Sequence, residues 1–158
     1  MTKKSPLLEI NSRGIATVTL DRPEKHNAFD EKIIAELTEI FNEVENSKQA
    51  KIMVLQSTGK NFSAGGDMDW MKRMAGYGYD ENIRDANALA RMLYKLNFLS
   101  IPTIARVQGA AMGGGAGLVC CCDIAIAASN ASFAFSETKL GLLPATIAPY
   151  VLQSIGPQ

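Results

Sequence analysis

The chain has no excess of charge of either sign: Lys and Arg together number 16, and Asp and Glu number 16. That balance argues against nucleic acid or an anionic membrane surface as a partner. Histidine occurs once, at His26, and no Gly-x-Ser-x-Gly stretch accompanies it, so a serine-hydrolase triad on a strained turn is not expected. Cysteine is confined to Cys120, Cys121 and Cys122. An odd, contiguous set makes no disulfide framework and lacks zinc-site spacing. The three thiols read as small apolar side chains packed late in a buried helix. Long apolar runs are missing too. The longest weakly polar stretch, 109–122, is too short and too rich in glycine to span a bilayer. Residues 1–10 carry no apolar signal core. A cytoplasmic protein is the expectation. At 158 residues, 47% of them hydrophobic, the chain is long enough for a core of its own.

Glycine, by contrast, is concentrated where it matters. One segment, 61–68, reads NFSAGGDM, and a second, 109–118, reads GAAMGGGAGL. Each follows an apolar, strand-like run and leads into a helix-like run. Glycines at such a junction let the backbone approach a ligand closely, and the first amides of a helix are free to donate. Two such N–H groups aimed at one point make an oxyanion hole, a large catalytic term in acyl chemistry. Nucleotide-loop readings fail at the motif level. Leu118 stands where a dinucleotide fingerprint needs its third glycine, and Gly59-Lys60 lacks the upstream glycine of a Walker loop.

Periodicity supplies the frame. Residues 7–11 and 15–20 predict two strands around a Ser12-Arg13-Gly14 turn, with Pro23 ending the second. Ile33, Ile34, Leu37, Ile40, Phe41 and Val44 form one helical stripe, with Asp30 as its N-cap. Residues 51–56 predict a buried strand. A glycine-tyrosine loop at 76–79 precedes a second amphipathic helix carrying Ala86, Leu89, Ala90, Leu93 and Leu96, ended by Ile101-Pro102. Residues 103–107, 123–127 and 132–135 predict strands, 118–122 continues the helix of the second glycine segment, 141–144 is a turn, and 147–155 starts a further helix. A hairpin followed by helix–strand units predicts an α/β fold with crossover connections.

Four ordered segments, Arg22-Pro23 with Asn27-Ala28, 61–68, 112–123 and 135–144, resemble the crotonase superfamily, the enoyl-CoA hydratase/isomerase family. Within it, residues 67–71, 121–123, 136–138 and 144–150 are similar to methylglutaconyl-CoA and isohexenylglutaconyl-CoA hydratases. The resemblance implies a ClpP/crotonase-like spiral of ββα units. Residues 1–158 would form its N-terminal core, a partial domain lacking the C-terminal helical region that builds homotrimers or hexamers. Such a core is expected to be poorly stable alone or to expose an apolar face. The resemblance also assigns roles. The amides of Gly66 and Gly114 would bind the thioester oxygen. Glu137 would move a proton at the acyl carbons, with burial expected to raise its pKa. Ala28, Ala64, Gly66, Asp67 and Met68 would cradle coenzyme A, and Lys25 would reach one of its phosphates. Trp70, Met71 and Gly117 would line the acyl pocket. Neither a metal nor a redox cofactor is implied, because coenzyme A enters as part of the substrate.

One departure divides the readings. Many hydratases of the family carry a second glutamate where this chain has Gly117. Either another group such as Asp69, or one beyond residue 158, positions the water, or Glu137 serves both steps, or no water is added. Three functions follow: an enoyl-CoA hydratase, a Δ3,Δ2-enoyl-CoA isomerase using Glu137 alone, and a non-catalytic fragment that binds acyl-CoA or a partner chain.

Overall fold

The computed structural model describes residues 5–135 and 137–157. It opens with an antiparallel pair, β1 (Leu7–Ile10) and β2 (Ile15–Leu20). Asn11 closes their turn by accepting from the Arg13 and Ile15 amides. The main sheet then adds β3 (Ile52–Ser57), β4 (Thr103–Val107) and β6 (Ile124–Ala127) in the order β1-β2-β3-β4-β6, all parallel after the first pair. Parallel neighbours require crossovers. Helix α1 (Glu31–Asn46) joins β2 to β3, α2 (Met68–Met74) and α3 (Tyr79–Asn97) lie between β3 and β4, and α4 (Gly114–Cys120) between β4 and β6. The last helix is α5 (Ala148–Ile155).

A second, shorter ladder runs beside the sheet. In it β5 (Ala110–Met112) pairs in parallel with β7 (Ser132–Ala134). Parallel bridges continue it, Ser63 with Ala111 and Gly66 with Phe29. Each turn of chain therefore lays a strand in the main sheet, a short strand or bridge in the second ladder, then a helical piece. This is the ββα spiral that the resemblance implied. Strand β5 had no separate signal in the sequence. Alanine and methionine have little strand preference, and pairing with β7 and Ser63 makes 110–112 extended.

The core follows the two periodicities. Ala16, Val18, Met53, Leu55 and Ala105, alternate residues of β2, β3 and β4, are fully buried. Against them pack α1, through the six apolar residues of its predicted stripe, and the C-terminal half of α3, through Met92, Leu93 and Leu96. The Asp30 carboxylate caps α1 by accepting from the Lys32 and Ile33 amides. Truncating a buried leucine such as Leu37 would cost about 2–5 kcal/mol. The other end of the sheet is different. Ile124 and Phe133 are 52% and 48% exposed, and Leu152 and Ile155 of α5 are 54% and 62% exposed. Cys121 is buried, and burial pushes both its thiol and that of Cys122 upward, the latter to about 12. Such thiols are unreactive at neutral pH. Among the described residues no helix is long and apolar enough to cross a membrane, and no cluster of His, Cys, Asp or Glu is placed to hold a metal ion.

Candidate active site

The first glycine segment is set by polar bonds. Asn27 is 2% exposed and left-handed, with φ 53°. Its side-chain amide donates to the Thr58 and Asn61 carbonyls at 2.8 and 2.9 Å, and its Oδ1 accepts from the Arg22 amide. The Ser63 hydroxyl donates to the Asn27 carbonyl and accepts from the Gly65 amide. Gly65 itself has φ 85°, a conformation that suits glycine alone. Asp67 then starts α2, its Oδ1 accepting from the Asp69 and Trp70 amides at 2.8 and 3.2 Å.

The second segment is set by steric contact. A Cβ on Gly114 would lie 2.5 Å from Phe29 Cζ, and one on Gly115 would lie 2.7 Å from the Ser63 carbonyl oxygen. Gly113 turns the chain into α4 with φ 50°, and a Cβ there would sit 2.7 Å from Glu137 Oε1. Three successive glycines are therefore required by three different neighbours. The two segments also touch: the Cβ position of Gly65 is 3.4 Å from the Gly114 nitrogen.

Gly66, Gly114 and Glu137 line one cleft of about 400 Å³. The amides of Gly66 and Gly114 have no acceptor among the described residues. Glu137 lies in a short 3-10 turn after β7, and its buried Oε2 has no hydrogen-bond partner among them either. Unsatisfied polar groups gathered in one cleft are what a ligand would satisfy. The remaining wall is mostly apolar, with Trp70, Met71 and Met74 of α2, Leu89 of α3, and Leu142 and Ile147 after the 3-10 turn. An apolar pocket with few polar groups suits a small organic chain.

The family model for enoyl-CoA hydratase/isomerase matches residues 10–158. The chain belongs to this family. It superposes on an enoyl-CoA hydratase from Shewanella pealeana with a TM-score of 0.94 and 47% identity, covering 97% of this chain and 57% of that one. It is 35% identical to a short-chain-enoyl-CoA hydratase of Clostridium acetobutylicum, over 82% of this chain and 49% of that protein. It is 30% identical to a mitochondrial Delta(3,5)-Delta(2,4)-dienoyl-CoA isomerase of Dictyostelium discoideum, over 84% of this chain and 48% of that protein. The chain thus spans about half the length of the curated relatives it matches.

Within this crotonase frame the other residues singled out from the sequence fall in two places. Trp70 and Met71 line the cleft, and Trp70 is 5% exposed. Gly117 does not line it. It is buried in α4 beneath Ile147, whose Cγ2 is 2.6 Å from where a Cβ on Gly117 would be. Ile147 takes the cleft position instead. Lys25, Ala28, Ala64, Asp67 and Met68 lie outside the cleft lining. Ala28 is buried, and its carbonyl accepts from the Arg22 guanidinium. Ala64 is exposed, its amide donating to the His26 carbonyl, and Met68 is 55% exposed.

Lys25 and Asp67 belong to one charged group. Lys25 Nζ donates to Asp69 Oδ2 at 2.8 Å and lies 3.6 Å from Asp67 Oδ2, which also faces Arg22 at 3.6 Å. The Asp69 hydrogen bond, then the two negative charges, raise the Lys25 pKa. Desolvation alone would raise that of Asp67, but the Trp70 and Asp69 amides with Lys25 and Arg22 outweigh it and the net shift is downward. The Lys25 hydrogen bond, then its charge, lowers Asp69. Asp69 is thus an exposed partner of Lys25 and not a member of the cleft.

Sequence reasoning missed Phe29, Asn82 and Asp85, which all line the cleft. A signal existed for the last two. They extend the apolar stripe of α3 back by one turn from Ala86 and Leu89, at helical spacing, and polar residues on an apolar face mark a site.

Proposed function

We propose that the protein is an enoyl-CoA hydratase. The observation that carries this is the meeting, in the lining of one mostly apolar cleft, of Gly66 and Gly114, whose amides have no acceptor among the described residues, and Glu137, whose Oε2 has no partner among them. The thioester oxygen of a 2-enoyl-CoA is held between the two amides. Water adds its oxygen to the β-carbon while Glu137 takes the proton. The π electrons move onto the thioester oxygen as an enolate. Amides aimed at that oxygen stabilise the enolate more than the neutral thioester, which lowers the barrier. Glu137 then returns the proton to the α-carbon and the carbonyl reforms. Coenzyme A is part of the substrate, and the reaction as written needs neither metal nor redox carrier. The acting form on this reading is a homo-oligomer of the full-length protein.

The position of Ile147 supports one alternative. It fills the space a longer side chain at 117 would occupy, and α4, reading GGAGLVC, carries no carboxylate. A single glutamate suffices to carry a proton between two carbons, which would make the protein a Δ3,Δ2-enoyl-CoA isomerase. Product mass in ¹⁸O-water separates the two. The full-length protein, beside Glu137→Gln, is given a panel of 2-enoyl- and 3-enoyl-CoAs. A heavy-oxygen 3-hydroxyacyl-CoA that disappears in Glu137→Gln is expected. A shifted double bond at unchanged mass overturns hydration in favour of isomerisation, and absence of both products overturns the enzyme.

A further inference from the structure

We infer that Asp85 supplies a second carboxylate to this cleft and holds the water that adds to the β-carbon. The inference rests on the hydratase reading above. Hydration brings two reactants into one site, an acyl chain and a water. The amides of Gly66 and Gly114 and the Glu137 carboxylate hold and protonate the first. Some acceptor must fix the second, since a loosely held water forfeits the advantage of proximity. Helix α4 offers none, because its residues, GGAGLVC, carry no side-chain oxygen, and Ile147 closes over Gly117. Asp69 offers none, because it is 64% exposed and bound to Lys25.

Asp85 meets the need on three counts. It and Glu137 are the two acids among the described residues lining the cleft. Its position is fixed: Oδ2 accepts from the Trp70 indole Nε1 at 3.3 Å, and Trp70 is 5% exposed. Its other oxygen, Oδ1, has no protein partner among the described residues and is open to solvent. No cation pairs with Asp85 among those residues.

The indole also measures the reach. The opposite edge of Trp70, at Cζ3, is 3.8 Å from the Cβ position of Gly66, while its Nε1 is on Asp85. Asp85 therefore stands at the far end of the Trp70 indole from Gly66, along the wall where the acyl carbons beyond the thioester would lie. Asn82, one turn earlier on α3, donates its side-chain amide to the Tyr77 carbonyl at 3.2 Å. That leaves its oxygen as a further acceptor on the same wall. In the step itself Asp85 accepts a hydrogen bond from one water proton and keeps none. The other proton passes through Glu137 to the α-carbon, and the water oxygen bonds to the β-carbon.

The test uses the full-length protein and the best 2-enoyl-CoA of the panel, with saturated butanoyl-CoA as a non-reacting binding probe. Asp85→Asn keeps an oxygen for the Trp70 indole and removes the charge. Its expected effect is a fall in kcat for ¹⁸O-hydration of about 10²-fold, with KM and the butanoyl-CoA Kd within about twofold of wild type. Trp70→Phe, which keeps one aromatic ring on this wall and releases Asp85, is expected to lose about tenfold in kcat. A merely structural Asp85 would shift the indole against Gly66, so that Kd and kcat worsen together, and that result overturns the inference. Hydration by Asp85→Asn within about threefold of wild type overturns it too. A wild-type protein that forms no heavy-oxygen product takes the hydratase reading down first and this inference with it. That outcome is visible before any variant is made.

Discussion

The two glycine segments present equivalent amides to one cleft but are held by opposite physics. Around Gly66 the chain is fixed by hydrogen bonds and charges: Asn27, Ser63 and Asp67 are buried polar residues, each satisfied. The Cβ position of Gly66 itself is 3.3 Å from the thioether sulfur of Met71, the end of a flexible side chain. Around Gly114 the chain is fixed by exclusion, with Phe29, Ser63 and Glu137 each standing where a side chain would begin. A polar scaffold tolerates small changes of volume and is sensitive to loss of a partner. A close-packed one tolerates loss of neither space nor shape.

That contrast is broken most directly at Gly114. Gly114→Ala must displace Phe29, which is 1% exposed. It is expected to cost about 1–3 kcal/mol of stability and about 10²–10³-fold in kcat, the usual loss for a displaced oxyanion donor. Adding Phe29→Leu should return part of both, read from turnover and denaturant midpoints. Full activity in Gly114→Ala would end the steric account. Next in size is Gly117→Ala. Alanine ordinarily stabilises a helix interior by about 1 kcal/mol over glycine. Here the contact with Ile147 reverses the sign, and a loss of about 1–3 kcal/mol is expected. In an Ile147→Ala background the same Gly117→Ala change should cost less or stabilise, as urea unfolding of the two Ile147→Ala proteins would report.

The polar segment is sharpened at Asp67. Asp67→Ala removes the cap of α2 and should cost about 1 kcal/mol. The pH dependence has a definite sign. The folded carboxylate has a lower pKa than its ordinary 3.8. Its contribution is therefore complete above that value and is lost as pH falls through the lower folded one. Wild type should lose stability in that acid window, and Asp67→Ala should show a flatter acid limb in the same melts. The smallest effect is expected at Gly66→Ala, which keeps the amide and asks only Met71 to shift. Its kcat should stay within about threefold of wild type, and a loss as large as that of Gly114→Ala would erase the difference between the segments.

Helix α1 shows what periodicity makes legible. All six residues of its predicted stripe are buried and Asp30 caps it, because both features depend only on neighbours within two turns. Helix α3 was legible as a helix but not in its division of labour. Its stripe continues past Leu89 through Asp85 and Asn82, yet only the C-terminal half meets the core, while the other half faces the cleft. Nothing local distinguishes a helical face that meets a sheet from one that meets a cavity. Lys25 and Asp67 join Asp69 and Arg22 in one charged group, and the Lys25–Asp69 pairing, across 44 residues, leaves no trace in spacing. Strand β6 forms where its apolar run predicts it, while Ile124 and Ile126 are 52% and 58% exposed, because burial of a strand depends on what packs over it.

The sequence by itself determined the family, the order of the main-sheet strands and of the long helices, and the three groups set at the cleft, Gly66, Gly114 and Glu137. Those depend on short motifs whose backbone demands admit few alternatives. Only the tertiary structure decided that Ile147 covers Gly117, that Asp85 reaches the cleft on the arm of Trp70, and that Asp67 meets Lys25 and Arg22. Each of these depends on which distant side chain arrives first at a shared volume, and in a close-packed interior that volume admits only one occupant.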